Sequence, residues 1–60
     1  MPEVVLRDFD GAETLVMHDA PLPEIIHTEQ TDPLGPVFRH YLRSREADGE
    51  GRPVYLESNL

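Results

Sequence analysis

The chain is 60 residues long, has no cysteine and carries a formal net charge of −7, with every positive side chain an arginine. That length allows one small domain, which buries only roughly 60% of the surface its unfolded form exposes, and the lack of thiols excludes disulfide staples and a cysteine zinc site. The acid excess argues against direct nucleic-acid binding, because phosphates would be repelled, and no apolar run approaches the roughly 18 residues of a membrane-spanning helix.

Met1-Pro2 reads as a frayed start. Glu3 to Phe9 and Glu13 to His18 read as two strands joined at Asp10-Gly11, since Asp-Gly between apolar runs signals a two-residue type I′ hairpin turn. With those two residues as the turn, Phe9 faces Ala12, Asp8 faces Glu13, Arg7 faces Thr14, Leu6 faces Leu15, Val5 faces Val16 and Val4 faces Met17. One face then carries Val4, Leu6, Leu15 and Met17 as a core block and ends in Asp8 opposite Glu13, a repulsive pair expected in water or against a base.

Asp19 to Pro23 breaks the hairpin, because Pro21 and Pro23 cannot donate to a ladder. Glu24 to Glu29 reads as a short strand from its β-branched Ile25, Ile26 and Thr28; a helical turn starting at Pro23 is the alternative. Gln30 to Pro36, with two prolines and a glycine, reads as a loop whose Leu34 folds back onto the core.

Val37 to Glu46 fits two patterns. As a helix it puts Val37, Phe38, Tyr41 and Leu42 on one face, with Pro36 suiting the first turn and Gly49 a stop. As a strand it separates Phe38, His40 and Leu42 from Val37, Arg39, Tyr41 and Arg43. The Gly-rich Ala47 to Gly51 loop and the strand-like Arg52 to Glu57 favour a second hairpin. Ser58 to Leu60 reads as a loose end. The expected fold over residues 1–60 is mainly β, a small antiparallel meander or half-barrel of about five strands. The alternative is an α+β sheet with one helix at about 36–47.

Leu, Ile, Val and Phe exceed a quarter of the chain, above the level of about 20% below which disorder is expected. Chains this small gain stability from a compact core, self-association or a bound partner, so a homodimer is one expectation. Glu3 stands where a secretory signal carries positive charge, and no apolar stretch of about 7–15 residues follows. The cytoplasm is therefore the expected compartment.

His18, His27 and His40 lie in separate elements without the spacing of a local metal pair, so no metal and no cofactor is expected. Ser44 and Ser58 lie in no nucleophile-elbow context, no glycine run matches a phosphate loop, and a chain this short rarely encloses a catalytic pocket. A non-enzymatic protein follows. Arg39, Arg43 and Arg45 with Tyr41 form one basic cluster, offset by Glu46, Asp48 and Glu50, and are expected to pair with acids of the first hairpin or across a dimer.

Charge is unevenly distributed. Residues 1–38 hold eight acids and one base, whereas residues 39–60 hold four of each. Asp8, Asp10, Glu13, Asp19, Glu24, Glu29 and Asp32 are the expected partner-binding residues, complementary to a basic surface on a nucleic-acid-binding protein. The whole chain, acidic, cysteine-free, mostly β and proline-jointed, resembles small proteins of phages and mobile elements, in particular anti-CRISPR and related inhibitors that mimic DNA. The resemblance lies in overall character and carries no motif, so no site residue follows from it. It implies an anti-defence inhibitor acting in a host cytoplasm. The alternative is an assembly module, such as a small phage component, that self-associates through Val5, Phe9 and Val16.

Overall fold

In the computed structural model, which describes residues 2–59, five strands form one half-barrel sheet. They are β1 (Glu3–Arg7), β2 (Glu13–Met17), β3 (Ile25–Asp32), β4 (Gly35–Ala47) and β5 (Pro53–Ser58). The expected mainly β fold is present, and residues 37–46 are strand rather than helix. Among the described residues no helix is long and apolar enough to cross a membrane. Of the expected loose ends, Met1 and Leu60 lie outside the described residues, whereas the Pro2 carbonyl accepts the His18 N–H and Ser58 belongs to β5, paired with His40.

The topology is not a simple meander. Strand order is β2-β1-β5-β4-β3, and β5 enters the centre parallel to β1, with Leu6 beside Tyr55. The other three pairings are antiparallel. A meander would leave β1 at an edge, yet Val4, Val5 and Leu6 are buried, and the backbone groups of a buried strand need a hydrogen-bonding neighbour on each side. β5, with Val54 and Tyr55 both buried, supplies it.

The first hairpin differs from the sequence expectation by one residue. Its loop has three residues, and only Gly11 takes positive φ, at 89°. The Gly11 N–H donates to the Asp8 carbonyl and the Asp8 N–H to the Ala12 carbonyl, a type I turn closed by a glycine bulge. A type I′ turn would put Asp10 in the left-handed region too; its carboxylate instead accepts the Ala12 N–H at 3.0 Å. Pairing becomes Val4 with Val16, Val5 with Leu15, Leu6 with Thr14 and Arg7 with Glu13. A one-residue slip moves every side chain of β2 to the other face. Leu15 and Met17, expected in the core, are therefore exposed, and Val16 packs inward instead. Asp8 no longer opposes Glu13.

The second expected loop is also different. Gln30, Thr31 and Asp32 belong to β3, and Gly35 and Pro36 to β4, so only Pro33-Leu34 turn the chain. The Asp32 carboxylate accepts the Leu34 N–H, and Leu34 projects into solvent at 99% exposure rather than folding onto the core.

The core lies on the concave face: Val4, Leu6, Ile26, Tyr41 and Tyr55, with Val16 and Leu22 packed against them. Residues 18–24 carry the chain from the β2 edge to the β3 edge. Leu22 covers the core on the way, the Pro23 carbonyl accepts the Tyr55 hydroxyl, and the Glu24 carbonyl accepts the Arg43 N–H. Val5 and Val54 are buried side by side on the convex face.

Candidate functional site

Alternation places Asp8, Tyr41, Arg39 and Glu57 on the concave face, at the end of the sheet where β1 turns into β2. Tyr41 donates its hydroxyl to Asp8 Oδ1 at 2.6 Å, and Arg39 Nη1 donates to Asp8 Oδ2 at 3.1 Å. Arg39 also lies 3.9 Å from Glu57, whose Oε1 accepts the Phe9 N–H at 3.1 Å. Burial, followed by the hydrogen bond to the Asp8 carboxylate, raises the Tyr41 phenol pKa above its ordinary value. Asp8 is thus a tie between two hairpins. Beside it, Phe9, Asp10, Val37 and Phe38 border an open cleft of about 370 Å³.

Three of the five arginines engage six of the twelve carboxylates. Arg7 bonds Glu13 at 2.8 Å and Glu46 at 3.2 Å; Arg39 holds Asp8 and Glu57; Arg52 holds Asp48 at 2.6 Å and reaches Glu3 at 4.0 Å. Asp10, Asp19, Glu24, Glu29, Asp32 and Glu50 make no ion pair among the described residues.

The seven expected binding residues therefore separate. Asp8 is half-buried and hydrogen-bonded. Glu13 is tied to Arg7 across the β1–β2 ladder. Asp10 is exposed in the first turn and Asp19 in the crossing segment. Glu24, Glu29 and Asp32 are spaced along one strand, immediately before, within and at the end of β3, with Glu29 on the opposite face from the other two, and all three are exposed. Of the expected arginine pairings with the first hairpin, Arg39 makes one, whereas Arg43 and Arg45 make none among the described residues. Glu57 was legible only through its alternation with Tyr55, which needs β5 to be central.

His27 and His40 are cross-strand partners with ring centroids 4.7 Å apart, edge to face. Among the described residues no group of three or more His, Cys, Asp or Glu side chains is placed to hold a metal ion. Of the three apolar residues expected to carry self-association, only Phe9 is exposed, at 64%. Val5 is buried and Val16 half-buried, whereas Leu15 and Met17 are 51% and 59% exposed on the convex face.

No family model, no curated protein and no solved structure matches this chain.

Proposed function

We propose that this chain is a non-enzymatic binding protein whose acidic surface covers a basic, nucleic-acid-binding surface of a partner protein. The observation that carries this reading is the exposed β3 edge, where three of the six carboxylates without an ion-pair partner among the described residues, Glu24, Glu29 and Asp32, fall along one strand, whereas Asp10, Asp19 and Glu50 are scattered over separate loops. Uncompensated carboxylates on one side give a directional field that speeds encounter with a basic surface and weakens with salt. An anti-CRISPR-type inhibitor acting as a DNA mimic in a host cytoplasm is the specific form of this reading.

The test is capture from nuclease-treated lysate with wild type and with the Glu24→Gln, Glu29→Gln, Asp32→Asn variant. Asn keeps an oxygen to accept the Leu34 N–H, so the turn survives. A nucleic-acid-binding protein held by wild type at low salt, released at high salt and missed by the variant supports the reading. Equal capture by both proteins overturns it.

A second reading, a homo-oligomeric assembly module, draws on exposed Leu15, Met17 and Leu56 of the convex face. It predicts concentration-dependent association that Leu15→Arg abolishes without unfolding the monomer, as read by analytical ultracentrifugation.

A further inference from the structure

We propose that the free edge of β3 binds an extended, Arg- or Lys-rich segment of the partner by strand addition, so that main-chain pairing adds to charge attraction. The proposal rests on the acidic-binder reading and supplies its binding mode.

The ladder fixes which backbone groups are free. The Arg43 N–H donates to the Glu24 carbonyl, and these two residues continue the β3–β4 register. Hydrogen-bonded pairs alternate in an antiparallel ladder. Residues 24, 26, 28, 30 and 32 therefore point their amides at β4, while Ile25, His27, Glu29 and Thr31 point theirs away from it. β3 is an edge strand, and none of these four amides has a backbone partner outside the ladder among the described residues. An unpaired edge of this length is a template for another strand.

Charge selects the occupant. Glu24, Glu29 and Asp32 flank and punctuate this edge, and β3 itself contains no arginine or lysine. Arg39 in the neighbouring strand is engaged by Asp8, and Arg43, across the ladder from Glu24, is outside ion-pair distance of it. A second copy would bring the same three carboxylates against these. A basic strand meets them with opposite charge. The β2 edge is a poorer template for such a segment: it has five residues against eight, and its one carboxylate is neutralised by Arg7.

The test uses the intact chain and a short peptide of alternating Arg and Val long enough to span Ile25–Asp32, alongside the same peptide N-methylated at every peptide bond. Methylation removes the donors and keeps the charge. Binding by the unmodified peptide should slow exchange of the Ile25, His27, Glu29 and Thr31 amides by about tenfold or more. The methylated peptide should bind about tenfold more weakly or worse. Equal binding of both peptides without amide protection overturns strand addition and leaves the acidic reading standing. No binding of either peptide at low salt overturns both. Concentration-dependent protection of the same amides without peptide assigns the edge to a second copy and overturns the basic-segment proposal.

Discussion

Asp8 sits in an acidic tip by sequence and inside a hydrogen-bonded cluster by structure. Its two oxygens accept from Tyr41 and Arg39, so its charge is used within the fold. Tyr41→Phe should cost about 1.5–3 kcal/mol in urea denaturation, the usual net worth of a hydrogen bond to a charged group. The phenols also set an alkaline limit. Burial raises the pKa values of Tyr41 and Tyr55 above the ordinary value near 10. A raised folded-state pKa contributes stability that is complete below the unfolded value and is lost as pH climbs through the folded one. Stability should therefore hold level up to about pH 10 and then decline, with the decline shallower in Tyr41→Phe. At the acidic end, the Arg52 side chain and then its N–H hold the Asp48 carboxyl below its ordinary value. That contribution is present above the unfolded pKa and is lost as pH falls through the folded one.

Two hairpin loops share one design. Asp8 to Ala12 and Asp48 to Arg52 each close with a first-residue N–H to last-residue carbonyl bond, and each puts its glycine at positive φ, Gly11 at 89° and Gly51 at 81°. Gly11→Ala and Gly51→Ala should each lower stability by about 1–2 kcal/mol, the cost of a β-carbon in that region. Gly49→Ala meets nothing within 4 Å and has no positive φ, so it should be neutral or stabilising by up to about 1 kcal/mol. Thermal melts of the three variants check this. The strands themselves were readable from alternation. The registers were not: Asp10-Gly11 fits a two-residue and a three-residue loop alike, and the choice depends on whether Asp10 takes positive φ or caps Ala12. Pro33 and Pro36 likewise read as loop, because a tight turn with Pro at its second position and Pro on the following strand needs the partner strand to be seen. Of the site, the acidic excess was legible. Which acids are spent on Arg7, Arg39 and Arg52 depended on the register and could not be read.

At the scale of the molecule, one central pair organises everything. β1 and β5 lie parallel between the two hairpin arms, and they bring Val4, Leu6 and Tyr55 together under Leu22. Leu6→Ala should cost about 2–5 kcal/mol, much of the stability of so small a domain. Leu34→Ala, at the exposed turn, should change it by less than about 0.5 kcal/mol. The same topology leaves β2 and β3 as the sheet edges and gathers uncompensated carboxylates on β3. The claim that this edge recognises positive charge is tested most directly by titrating the Arg-Val peptide into wild type and Glu29→Lys at low and high salt. The account predicts that Glu29→Lys binds about tenfold more weakly at low salt and that the difference vanishes as salt screens the charges. Equal affinity of the two proteins at low salt would contradict it.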